Sequence, residues 1–295
     1  MVEPDRGFSS RSIRPRGFSL VETLAVAAVV GTLLILLLPT IQRWREDSRR
    51  TQCADNCRRQ GLAVAAYESA RRIFPPGSDA FSANPKSQPP RLHAWASFSL
   101  PFAADLGVGL KIDLDKPWND PRGNREIARK TIGLYVCPSS IERYPGKQDY
   151  GAVVGTAVPL STTGKLVDDW QHSGVLYATD DEAHREPARR EAVSDGLAST
   201  LLVAESVDRG HTGSDDADDF QTPIGPARWA CGTSCVLQNS PVIDDPGGDS
   251  FRSTHVGGIQ ALFADGHVVF LGHDIEGDLL IGLCTKSGGD KVPEL

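Results

Sequence analysis

Several familiar signatures of chemistry are missing from this sequence. No stretch matches a Gly-rich phosphate loop of the GxxxxGK[ST] or GxGxxG type, and there is no HExxH helix. The chain therefore lacks the usual cradle for nucleotide phosphates and the usual zinc-protease ligand pair. Positive charge is short as well: 31 Lys and Arg stand against 38 Asp and Glu, a net charge of −7. That balance argues against a nucleic-acid-binding surface, which is normally basic. No internal repeat is present. What remains is an ordinary globular composition over 295 residues, 40% hydrophobic and 23% charged, enough for one large domain or two small ones.

The apolar residues are unevenly spread. Residues 18–38 carry a single charge, Glu22, and as a helix they would span roughly 30 Å, the thickness of a bilayer core. Arg6, Arg11, Arg14 and Arg16 precede this run, and Arg43, Arg45, Arg49 and Arg50 follow it, so charge alone does not orient it. A secretory signal peptide places its small cleavage residue after the apolar run; here Gly17 comes before it. The string Arg16-Gly17-Phe18-Ser19-Leu20-Val21-Glu22 resembles the type IV prepilin signal. The resemblance implies cleavage between Gly17 and Phe18, N-methylation of Phe18, and pairing of Glu22 with the N-terminal amine of a neighbouring subunit. A lone carboxylate in hydrocarbon costs several kcal/mol unless paired or protonated, which suits an assembly contact. Pro39 removes one helix hydrogen bond, and a proline in this region is common in pilins. The plain alternative is a single-pass anchor with a snorkelling Glu22.

From Thr40 to about Arg72 the pattern stays helical, with Ile41, Trp44, Leu62, Ala65, Ala66 and Ile73 at roughly helical spacing. Phe74-Pro75-Pro76-Gly77 stops it. Residues 93–106 read as a short helix interrupted by Pro101. Residues 131–136, 149–158 and 174–177 read as strands, as does the apolar run at 201–204. Two apolar runs around Asp265-Gly266 give the strongest hairpin signal. One long helix followed by short strands predicts an α+β fold, with the helix packed on an antiparallel sheet.

These segments also resemble a family of pilin-like proteins of unassigned role, domain of unknown function 1559, abundant in Planctomycetes and ending in a His-X9-Asp-Gly motif. His255 is followed by nine residues and then Asp265-Gly266. The likeness continues through Arg50-Thr51-Gln52-Cys53, Phe74-Pro75-Pro76-Gly77, Cys137-Pro138-Ser139, Asp195-Gly196, Glu205 and Ser253-Thr254-His255-Val256-Gly257-Gly258. Cys57 and Ala66 depart from it, standing where the family more often has Leu and a polar residue.

Six cysteines, Cys53, Cys57, Cys137, Cys231, Cys235 and Cys284, are candidates for disulfides in an exported chain. A zinc site built from the two CxxxC pairs is a weaker alternative. His255, Asp265, His267 and His273 share one hairpin region, where His255 and Asp265 could hydrogen-bond across the strands. The simpler reading makes Asp265-Gly266 a tight type I′ turn and gives His255 a role in orienting the loop; metal ligation and catalysis are the sharper ones. Asp215, Asp216, Asp218 and Asp219 form an acidic loop, a weak calcium candidate because it lacks an EF-hand's spacing and glycine. Cys137, His255 and an Asp are the ingredients of a thiol hydrolase, yet nothing around Cys137-Pro138 marks an activated nucleophile, so a structural cysteine is expected.

The reading is thus of a leader at 1–17, a transmembrane helix at 18–38, its continuation at 39–73, and an α+β head at 74–295. Function is expected as a non-enzymatic pilin-like or pseudopilin-like subunit, of a type IV pilus or type II secretion-like filament. Its partners would be inner-membrane lipid, prepilin peptidase and other pilin-like subunits, with no nucleic acid and no cofactor beyond the calcium considered above. The location would be a single-pass inner-membrane protein with a periplasmic or cell-surface head. The alternative is a membrane-tethered binding module that does not polymerise.

Overall fold

The computed structural model describes residues 19–79, 92–103, 110–156, 173–177, 187–208, 227–232, 236–238, 240–245 and 250–289. Gly17, Phe18, Cys235 and the acidic cluster Asp215, Asp216, Asp218 and Asp219 lie outside them.

Helix α1 runs Leu20–Arg71 with Pro39 inside it. Its start is fixed by a capping box: the Glu22 N–H donates to Ser19 Oγ (3.3 Å), and the Ser19 N–H donates to Glu22 Oε2 (2.8 Å). This pairing satisfies two of the donors that any helix N-terminus leaves orphaned. Its end comes at Arg72, whose φ is +62°, just ahead of the two prolines. The chain forms two compact units, Met1–Arg45 and Glu46–Leu295. In the first, the large apolar side chains from Leu20 to Leu38 are exposed. This is the make-up of a single-pass membrane anchor or of a signal sequence.

The second unit is built on a sheet of β1 (Tyr150–Thr156), β2 (Leu201–Glu205), β3 (Val236–Gln238), β4 (Gly258–Phe263) and β5 (Val268–Gly272). The order is β3-β1-β2-β4-β5. Four strands, β1, β2, β4 and β5, pair antiparallel, as the sequence predicts; β3 adds to the β1 edge in parallel. Both faces are covered. On one, Leu262, Val203 and Ala152 join Cys57 and Val64 of α1 and the aromatic group Trp95, Tyr135 and Trp229. On the other, Ile259, Ala261 and Phe263 pack with Leu280 and Leu283 of the short helix at Gly277–Leu283 and with Cys284 that caps its end. Consecutive residues of β4 alternate between these faces, so the strand is buried along its whole length.

Three local expectations need correction. Residues 131–136 are not a strand: Gly133–Tyr135 forms a 3-10 turn, closed by the Tyr135 N–H donating to the Ile132 carbonyl (2.9 Å). Burial of Ile132, Leu134 and Tyr135 produced the strand-like apolar pattern. Residues 174–177 make a turn beside a single bridge, Gly155 to Ser173. The β4–β5 hairpin is present, but its loop is three residues long: Gly266 N–H donates to the Phe263 carbonyl (3.0 Å), and Phe263 N–H to the His267 carbonyl (3.0 Å). Gly266 alone is left-handed there, at φ +98°, so the loop is a type I turn with a bulge rather than type I′.

The Phe-Pro-Pro-Gly stop also has a packing reason. Gly77 N–H donates to the Tyr177 carbonyl (3.0 Å) and its carbonyl accepts from Trp95 N–H (2.9 Å). A Cβ at this position would sit 1.9 Å from the Leu176 carbonyl oxygen, so only glycine lets the two backbones approach this closely.

A buried cysteine–histidine–glutamate cluster as the candidate functional site

The segment from Leu134 to Ser139 runs antiparallel to α1 and is stitched to it at four levels. Gln60 Nε2 donates to the Leu134 carbonyl (2.7 Å) and Asn56 Nδ2 to the Val136 carbonyl (3.3 Å). Cys53 Sγ meets Cys137 Sγ at 2.9 Å, and Ser139 Oγ donates to Glu46 Oε2 (3.1 Å). Gln60 and Asn56 are polar on this face of the helix because they meet backbone carbonyls, which must be satisfied once buried.

Two further segments close on the same point. Glu205 ends β2 and is fully buried. Its Oε2 accepts from Ser253 Oγ (3.0 Å) and from the Gln260 N–H (2.9 Å). Its Oε1 has no hydrogen-bond partner and lies 3.4 Å from His255 Nε2. His255 sits in the turn before β4, where its N–H donates to Ser253 Oγ (3.1 Å). Its Nε2 is 3.1 Å from Cys53 Sγ and 3.4 Å from Cys137 Sγ, and its Nδ1 is 2.5 Å from Glu46 Oε1. The ligating atoms of Cys53, Cys137, Glu205 and His255 all fall within 4.8 Å of one another, and all four residues are buried.

The electrostatics of the cluster are coupled. Burial alone would depress His255, but contacts with Cys137, Glu205 and Glu46 outweigh it and raise the imidazole to about 10. The contact with Cys53 holds the Cys137 thiol down at about 7 against the effect of burial, with help from His255. Cys53 moves strongly upward, because it shares its proton with Cys137 and is itself buried. Burial works to raise the Glu46 carboxyl, but its bond to His255 carries it below the usual range. Both shifts favour a thiolate at Cys137 beside an imidazolium at His255.

A second layer holds the first. Asp149 Oδ2 accepts the Cys137 N–H (2.9 Å), and Asp149 Oδ1 pairs with the buried Lys147 (3.1 Å). Lys147 also pairs with Asp208. Burial pushes the Asp149 carboxyl up, with Lys147 opposing it.

Cys137, His255 and Glu46 have the order of a nucleophile, a base and an orienting acid. Cys137 is nonetheless buried, and its sulfur faces that of Cys53, so no approach for a substrate exists among the described residues. His255 does not meet Asp265, which bonds instead to its neighbour His267 (Nδ1, 2.5 Å) on the exposed hairpin tip; His273 pairs with Asp244 (2.9 Å). No disulfide joins Cys53, Cys57, Cys137 and Cys284, each a buried thiol. Cys57 turns into the main core rather than toward Cys53, so the CxxxC pair at 53 and 57 does not act as one ligand pair. Sequence reasoning missed Glu46 altogether. It did not foresee that the short motifs around Cys53, Cys137, Glu205 and His255 meet in space.

No curated protein and no solved structure matches the chain. A family model described as "Protein of unknown function (DUF1559)" matches residues 42–278. That stretch takes in every residue of the buried cluster and most of the sequence, and the chain belongs to the DUF1559 family.

Proposed function

We propose that this protein is a membrane-anchored, pilin-like structural subunit, processed by prepilin peptidase between Gly17 and Phe18 and assembled through its N-terminal helix. One observation carries the reading: α1 presents an exposed apolar surface from Leu20 to Leu38, with Glu22 as the only charge in that stretch. Exposed apolar surface on this scale needs lipid or other helices to cover it. A carboxylate at its start is costly in lipid and useful against a neighbour's terminal amine. The head then serves as a rigid body displayed by the helix, and the closed Cys–His–Glu cluster acts in its architecture rather than in catalysis.

Mass spectrometry of the N-terminal peptide from native membranes tests this. An N-methylated Phe18 is the expected result. An intact Met1, or a cut beyond Leu38, would overturn the assembly reading and favour a tethered or secreted binding module. Glu22→Gln adds a second test, because glutamine can keep the capping box with Ser19 while removing the charge. The variant should insert into the membrane normally yet fail to co-purify with wild-type subunits; undiminished co-purification would refute the role given to Glu22.

A further inference from the structure

We propose that Cys53, Cys137, Glu205 and His255 form a four-coordinate structural zinc site. The donor types fit: two thiols, one imidazole and one carboxylate make the mixed sulfur, nitrogen and oxygen set that zinc accepts, whereas calcium and magnesium take oxygen alone. The spacing also fits. Tetrahedral zinc with bonds of ~2.0–2.3 Å holds its ligand atoms roughly 3.3–3.8 Å apart. Here the sulfur–sulfur distance is 2.9 Å and the three distances from His255 Nε2 are 3.1, 3.4 and 3.4 Å. Spreading the two sulfurs by under ~1 Å admits the ion.

The surroundings point the same way. His255 Nδ1 is engaged by Glu46 (2.5 Å), the carboxylate–histidine arrangement that leaves Nε2 as the metal-binding nitrogen. Glu205 is anchored through Oε2 by Ser253 and Gln260, while Oε1, buried and without a hydrogen bond, is aimed into the cluster. The nearest partner of that oxygen is His255 Nε2 at 3.4 Å, and a cation seated among the four groups would stabilise the buried carboxylate more directly. A disulfide between Cys53 and Cys137 would use only two of the four groups that converge here. Since the ligands come from α1, the loop after the 3-10 turn, the end of β2 and the turn before β4, one ion would tie the helix to three separate parts of the head. No chemistry is ascribed to it: all four positions are filled by protein, the pattern of structural rather than catalytic zinc. The inference does not depend on the pilin reading.

The test uses the full chain, extracted in mild detergent under oxygen-free conditions. Elemental analysis should find about one zinc per chain, and zinc-edge X-ray absorption should find two sulfur and two nitrogen or oxygen neighbours. Glu46→Ala, which touches no proposed ligand bond, should weaken zinc affinity about 10- to 100-fold. His255→Asn and Cys137→Ser should abolish binding, and Cys284→Ser, in a separate part of the core, should leave it intact. Protein that contains no zinc and takes up none when supplied with it would overturn the proposal. So would an absorption spectrum without sulfur neighbours, or a Cys53–Cys137 disulfide seen as a mass lower by two hydrogens in freshly extracted protein.

Discussion

Replacing Lys147 by methionine should be among the most damaging single changes in the head. The ammonium is buried and pairs with Asp149, which is also buried, and with the partly exposed Asp208. Methionine matches the aliphatic stem, so packing changes little and charge dominates. Removing one partner of a buried pair costs about 3–5 kcal/mol, because the other charge stays behind uncompensated. Two features temper that figure: Asp208 can turn to solvent, and Asp149 still accepts N–H bonds from Cys137 (2.9 Å) and Asp208 (3.3 Å). We therefore expect Lys147→Met to lose about 3 kcal/mol, the lower end of that range. Urea unfolding of the full chain in detergent, followed by the fluorescence of buried Trp95, Trp118 and Trp229, measures it. Burial already raises the Asp149 carboxyl and Lys147 opposes the rise; without the ammonium it rises further. A carboxyl whose folded pKa exceeds its unfolded value binds its proton more tightly in the native state, so stability is lost as pH climbs through the folded value. The deficit of the variant should accordingly be smaller at pH 5 than at pH 8. A loss below about 1 kcal/mol, or a deficit that does not change with pH, would refute this account of the Lys147–Asp149 pair.

Gly77→Ala forces a Cβ to within 1.9 Å of the Leu176 carbonyl oxygen, and backbone displacement should destabilise the head by about 3 kcal/mol; an unchanged urea midpoint would show that the two segments are free to part. Gln60→Ala removes the 2.7 Å bond to the buried Leu134 carbonyl and should cost about 1–3 kcal/mol in the same assay. Gln60→Glu should be no better than alanine, since a carboxylate cannot donate to that carbonyl; recovery of wild-type stability would argue against the bond.

How much of this was visible in the sequence differs by element. The long helix was, because its apolar run, its lack of breakers other than Pro39 and the Phe74-Pro75-Pro76-Gly77 stop are all local signals. The β4–β5 hairpin was visible through Asp265-Gly266, although the loop length was not, since one glycine at positive φ serves either turn. Strand β3 was not legible: three residues gain their conformation from pairing with β1 and not from their own pattern. The cluster was the least legible part. Its residues come from four segments separated by dozens of positions, with no repeated spacing, and only the packing of α1 against residues 134–139 brings Glu46 and Cys53 to His255. The capping box was legible in Ser19-Leu20-Val21-Glu22, but the prepilin resemblance drew attention to the same glutamate for another reason.

The antiparallel run of residues 134–139 along α1 has a mechanical consequence. From Glu46 to Gln60 the helix rises about 21 Å, and its four contacts with that segment are spread along this length. A pull directed along the helix axis would load all four at once, in shear, instead of opening them one after another like a zip. Slipping by a single turn, about 5.4 Å, would leave the carbonyls of Leu134 and Val136 facing the wrong side chains. Contacts spread in this way resist tension along this stretch of helix better than an equal number gathered at one end would allow.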